Sequence, residues 1–197
     1  LSGLNAAARN LDVIGNNVAN ANTVGAKSSR AEFADMYANS LTGLSASTAG
    51  IGVAVTSVAQ QFTQGDITST NNPLDMAING RGFFRVSMDG ATQYTRNGQF
   101  QLSRDGEIVN ADGLVIQPAI TVPEGARSVT VGKDGVVSVV LPGETEAQQI
   151  GSLTLTDFIN PAGLEAIGGN LFLETTASGS PTNGTPGLDG LGTVVQG

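Results

Sequence analysis

The sequence predicts a mainly β protein with an N-terminal α-helix, in which a turn-rich antiparallel β-domain carries a helical extension suited to a coiled coil. Three observations predict it. Apolar residues in 1–20 recur at spacings of three and four, the helical period. From about residue 53 the period falls to two, as in strands with one buried face. Between the alternating runs stand Asn79-Gly80, Asp89-Gly90, Asn97-Gly98, Asp105-Gly106, Asp112-Gly113 and Asp134-Gly135, dipeptides that favour tight hairpin turns because both members tolerate positive φ.

The helix comes first. Leu1, Leu4, Ala8, Leu11, Gly15 and Val18 form a heptad seam with small residues at two of its positions, and Ala7 and Ile14 widen it. Asn5, Arg9, Asp12 and Asn16 fall elsewhere on the helix. Such a stripe needs a cover, either the rest of its own chain, as in an ordinary core helix, or another copy. The seam residues are therefore the candidate subunit-packing set. Leu1 already lies within the pattern, which predicts that the helix starts upstream of it.

Residues 15–30, GNNVANANTVGAKSSR, read as a helix end followed by turns, since Asn and Gly both accept left-handed backbone conformations. A short helical turn is expected around Ala31 to Leu41, and residues 42–52, TGLSASTAGIG, read as a small-residue linker. Val53, Val55 and Val58 begin the alternation. Strands are expected at 81–88, 92–96, 99–103, 106–110, 114–117, 127–131, 135–141, 148–155 and 171–174. Residues 176–193 are rich in Gly and Pro and read as an extended tail. The expected division is thus a helix and turn region over 1–41, a linker and first extended segment over 42–70, a β-domain over 71–180 and an extended return segment over 181–197.

Composition excludes several classes of function. The chain has 197 residues, no Cys and no His, which removes disulfides, thiolate and imidazole catalysis and most zinc sites. Charged residues are 13%, about half of the roughly 25% usual in soluble domains, so a surface this weakly charged suits one covered by neighbours. The net charge is −8. Residues 1–64 are balanced, with Arg9, Lys27 and Arg30 against Asp12, Glu32 and Asp35, so the excess lies beyond them. Nucleic acid, which needs a basic face, is not an expected partner. No run approaches the roughly 18 apolar residues of a membrane span, and no signal peptide is visible.

Candidate chemical sites reduce to structural ones. Asp89, Asp105, Asp112 and Asp134 each precede Gly and read as turn residues; with Asp75 they suggest no calcium cluster. Gly80-Arg81-Gly82 lacks the Lys-Ser/Thr of a phosphate loop. Phe83, Phe84, Tyr94 and Phe100, at strand spacing, read as core rather than a stacking platform. Lys27-Ser28 has no supporting constellation. No catalytic, metal or cofactor residue is assigned and no cofactor is expected.

Seven stretches carry a resemblance. LSGLNAAARNLDVIGNNVANANTVGAKSSRAEFADM resembles the N-terminal signature of bacterial flagellar axial proteins, the rod, hook and hook-associated subunits. NNPLDMAINGRGFFRV (71–86) and YTRNGQFQLSRDGEIVNADG (94–113) are similar to the first strands of the D1 domain of that family. From IQPAITVP (116–123) through VGKDGVVSV (131–139), LTLTDFINPAGLEAIGGNLFLETTASG (153–179) and TPGLDGLGTVVQG (185–197) the chain is most similar to distal-rod members; its first 105 or so residues are closer to hook members. No outer domain interrupts the chain after Gln117, as one would in a hook subunit. Ala26 stands where the resemblance places an aromatic, and the family pattern continues beyond Gly197 into a C-terminal helix paired with the first.

The resemblance implies a non-enzymatic subunit that self-assembles helically, a D0-like helical layer around an export channel inside a D1-like β layer. It implies a place in the flagellar basal body, rod or hook, outside the cytoplasm, with export that needs no cleavable signal. Implied partners are further copies, neighbouring rod and hook proteins and the rings surrounding the rod. Weakly charged D1 faces are expected to slide against one another, with Arg85, Arg96 and Arg127 the cations that test this. The competing expectations are a surface β-domain that binds glycan through its Asn/Thr face and a glycosidase using carboxylates alone; no pair of acids stands out for the latter.

Overall fold

The computed structural model describes residues 1–37 and 50–197. The chain divides into two compact units, one of Leu1–Thr23 with Lys27–Thr63, the other of Val24–Ala26 with Gln64–Gly197. We call them the helical unit and the β unit.

The helical unit holds α1 (Ser2–Ala19), β1 (Ser29–Tyr37) and β2 (Gly50–Gln60). β1 and β2 form an antiparallel ribbon running from Ser29 opposite Gln60 to Tyr37 opposite Gly50, with irregularities after Glu32 and Met36. This corrects the expected helical turn over Ala31 to Leu41: residues 31–37 are strand, and 38–41 lie outside the described residues. Ala, Glu and Met favour helix locally, but a ladder with a strand some twenty residues further on satisfies the backbone groups and overrides so weak a preference. Of the expected linker, residues 42–49 also lie outside the described residues, and Gly50–Gly52 already belong to β2.

The β unit holds β3 (Met76–Asn79), β4 (Phe83–Met88), β5 (Ala91–Thr95), β6 (Gln101–Leu102), β7 (Ile108–Val109), β8 (Val115–Gln117), β9 (Ser128–Val131) and β10 (Val136–Val140). It continues with β11 (Gln148–Ser152), β12 (Leu155–Asp157), β13 (Glu165–Gly168), β14 (Leu171–Leu173), β15 (Thr182–Gly184) and β16 (Thr193–Gln196). Pairing is antiparallel throughout. A nine-stranded sheet runs β13-β14-β5-β4-β8-β7-β6, with β12 joining β4 to β15; β11-β10-β9 make a second sheet and β16-β3 a third. The expected strand over 148–155 is two, because Leu153 and Thr154 carry the chain from the second sheet to the first. The hairpin between β4 and β5 turns on Asp89-Gly90, whose φ of 52° and 84° match the twist of the flanking strands.

The main core draws on all three sheets. Phe84, Val86, Ile116, Leu155 and Leu171 come from the large sheet, Val131, Val137 and Val139 from the second, and Met76, Ile78 and Val194 from the third. Adjacent strand residues point to opposite faces. Phe84 thus meets Phe100 edge to face at 5.3 Å inside this core. Phe83 instead joins a second cluster, 5.8 Å from Phe158 and 6.1 Å from Phe172, with Tyr94 4.8 Å from Phe158. The large sheet is therefore covered on both faces.

One side chain substitutes for backbone at a sheet edge. Gln196 on β16 donates from Nε2 to the Pro73 and Val129 carbonyls, at 2.6 and 2.9 Å, and its Oε1 accepts the Val131 N–H at 3.1 Å. The carboxamide thereby occupies the outer edge of β9.

Candidate functional site

The candidate site is the face that α1 turns to solvent. Within the helical unit α1 packs on the β1–β2 ribbon, and its side toward the ribbon carries Ala6, which is buried, with Val13 and Asn17, half-buried. Asn17 fixes the dock: its Nδ2 donates to the Ser29 carbonyl at 2.7 Å and its Oδ1 accepts the Ser29 N–H at 2.8 Å. A side chain that matches a strand's donor and acceptor in this way sets both the rotation and the height of the helix against it.

The rotation is decisive for the seam. At about 100° per residue the packed residues centre on a direction roughly opposite that of Leu1, Leu4, Ala8, Leu11, Gly15 and Val18. All six of these are exposed. Relative exposure is 72% for Leu4, 68% for Leu11 and 71% for Val18, with Ile14 beside them at 49%. No neighbouring atom lies within 4 Å of a Cβ placed on Gly15, so a flat strip runs along the helix between the leucines. The sequence pattern identifies the seam; the inward face of Ala6, Val13 and Asn17 escapes it, because Ala is uninformative and Asn17 reads as a surface polar residue until its bonds to Ser29 are known.

Such a surface has no chemistry to perform. Its groups are alkyl, and covering them would release water from apolar area. Among the described residues no group of three His, Cys, Asp or Glu side chains gathers to hold a metal. Asp75, the one acid of the sequence set that does not precede Gly, accepts hydrogen bonds from Thr70 Oγ1 at 2.7 Å and Asn72 Nδ2 at 3.0 Å, ordering its own loop.

The cations expected at a sliding interface are differently placed. Arg127 is exposed and Arg85 is half-buried on β4. Arg96 is turned inward. Its Nη1 donates to the Gly80 and Gly82 carbonyls at 2.8 and 2.6 Å, and its Nη2 to Gln64 Oε1 at 3.0 Å and the Ile78 carbonyl at 3.4 Å. Burial lowers its pKa, and among the described residues it forms no ion pair. This corrects the surface role: Arg96 binds backbone oxygens of its own domain, and nothing in the local sequence TQYTRNGQF distinguishes it from a surface arginine.

Comparison with known proteins adds the family. A family model of the flagellar hook protein FlgE/F/G D1 domain matches residues 77–139, which run from β3 into β10, and a model of the flagella basal body rod protein matches residues 1–27, which contain α1. The chain is 42% identical to the flagellar basal-body rod protein FlgG of Caulobacter vibrioides over 99% of its own length and 79% of that protein's. It is 36% identical to FlgG of Bacillus subtilis over 100% of its length and 80% of that protein's. The flagellar hook protein FlgE of Escherichia coli is 43% identical over 76% of this chain and 37% of the hook protein. From the helix through the β unit, the chain belongs to the family of flagellar basal-body rod and hook proteins.

Proposed function

We propose that this chain is a structural subunit of the bacterial flagellum, one that assembles with copies of itself into the rod of the basal body. Extent of correspondence carries this reading: the chain spans 79% and 80% of two rod proteins from distant bacteria, against 37% of a hook protein. A hook subunit is the second reading, favoured by the 43% identity to the hook protein. In either case the role is mechanical and no catalytic step is assigned.

In the shaft, the seam of α1 is the packing surface. Leu1, Leu4, Leu11 and Val18 meet helices of other copies, and Ala8 and Gly15 allow close approach in a coiled inner layer. Each such side chain, once fully buried, contributes about 1.5 kcal/mol or more, set against the freedom lost on association. The contact is head-to-tail and repeats without closing, which builds a helical polymer. The β units form the outer layer, the axis encloses an export channel, and adjoining rod and hook proteins and the surrounding rings meet its ends and outer surface. No described helix is long and apolar enough to cross a membrane.

Electron microscopy of the concentrated protein tests this. Straight tubes of constant diameter are expected, and they should disappear in a Leu4→Asp/Leu11→Asp variant whose β unit still unfolds at the wild-type denaturant concentration. Monomers at every concentration, or tubes untouched by the double substitution, would overturn the packing assignment.

A further inference from the structure

The chain joins the β unit at two passages, first over Val24–Ala26, entered from Thr23 and left at Lys27, and again from Thr63 into Gln64. The β unit fastens both passages, and both fastenings lead to one turn. At the first, the Val24 carbonyl accepts from Asn170 Nδ2 at 3.2 Å. The Asn170 carbonyl accepts from Thr95 Oγ1 at 2.8 Å, and that hydroxyl in turn accepts the Asn97 N–H at 3.0 Å. Gly25, at φ +74°, lies flat on the backbone of Asn97: a Cβ there would come within 2.7 Å of both Asn97 N and Cα. At the second passage, Gln64 Oε1 accepts from Arg96 Nη2 at 3.0 Å and from the Gly80 N–H at 3.2 Å. Arg96 is held in place by the carbonyls of Gly80 and Gly82.

Thr95, Arg96 and Asn97 are consecutive. We propose that this turn is a shared anchor, fixing both passages at one point of the β unit so that a displacement of either is felt by the other. Its chemistry suits an anchor. A guanidinium with several backbone acceptors presents a rigid planar fork, so its position is over-determined and a pull on Gln64 is spread over the Gly80–Gly82 segment. Asn97 is fixed on both sides as well, its Oδ1 accepting the Gln99 N–H at 3.0 Å.

Two reporters read the two passages separately: the Gly80 amide, bonded to Gln64, and the Asn170 side-chain amide, bonded to Val24. Both are followed by NMR hydrogen exchange on the full chain below its assembly concentration, so the result does not depend on polymerisation. Gly25→Ala, which has no room beside Asn97, is expected to speed Gly80 exchange about threefold or more although it lies at the other passage. Gln64→Ala, which leaves the Arg96 bonds to Gly80 and Gly82 in place, is expected to speed exchange of the Asn170 amide in the same way. If each substitution loosens only its own passage, the anchor is not shared and the proposal fails. Should Gly25→Ala not fold, the Gln64→Ala arm decides alone.

Discussion

The helical unit and the β unit place their large apolar residues differently. In α1 the one buried residue is Ala6, while Leu4, Leu11 and Val18 stand at 72%, 68% and 71% exposure. In the β unit Phe84, Val86, Ile108, Val137, Leu155 and Val194 are each at 0%. The difference teaches where each unit finds its free energy. The β unit closes its core within itself, on both faces of its large sheet. Among the described residues, α1 meets its ribbon through Ala6, a half-buried valine and the paired bonds of Asn17, and leaves its leucines exposed. Residues that close a core and residues of the exposed stripe are therefore separable by substitution.

The sharpest test of that separation is Phe84→Ala. It empties the centre of the main core beside Phe100 and should cost about 3–5 kcal/mol in urea unfolding of the β unit; a loss under about 1 kcal/mol would mean the core is not where stability lies. Next, Arg96→Met strands the Gly80 and Gly82 carbonyls and should cost about 2–3 kcal/mol by the same measurement. Asn17→Ala is expected to cost about 1 kcal/mol or more of helix docking, read as faster exchange along α1 with the β unit's unfolding midpoint unchanged. Loss of both together would join the units that the comparison separates.

The smallest effect is confined to alkaline pH. Burial and, secondarily, Glu174 raise the pKa of Tyr94 above 10.0, with Arg85 opposing. A phenol whose pKa is higher folded than unfolded adds stability that is complete below about pH 10 and is lost as pH rises through the folded value. Tyr94→Phe should flatten that alkaline decline in thermal melts between about pH 9 and 12. An unchanged slope would remove Tyr94 as its source.

Much of the β unit is legible because its turns carry their own chemistry. Asp89-Gly90, Asp105-Gly106, Asp112-Gly113 and Asp134-Gly135 mark places where the backbone needs positive φ at Gly, and the structure has it at each. Strands defined by partners rather than by pattern are not legible. β1 reads SRAEFADMY and becomes strand through β2; β13 and β15 are short and exist through β14 and β12. The seam of α1 was legible as a stripe, since leucines at heptad spacing are a periodic signal. That it faces outward was not, since this depends on Asn17 finding Ser29. Arg96 was misplaced for a similar reason: its acceptors are carbonyls, which every sequence position supplies equally.

The carboxamide of Gln196 has an implication for how stray copies misassociate. Sheet edges with free N–H and C=O groups recruit foreign strands. At β9 that row is already engaged by Gln196, but β11, the opposite border of the same sheet, pairs among the described residues only with β10, and its QQIGS stretch carries no charge to repel an intruder. Misfolded aggregates should therefore nucleate along β11, and a single lysine at Gln149 would be the economical way to keep the purified protein clear of them.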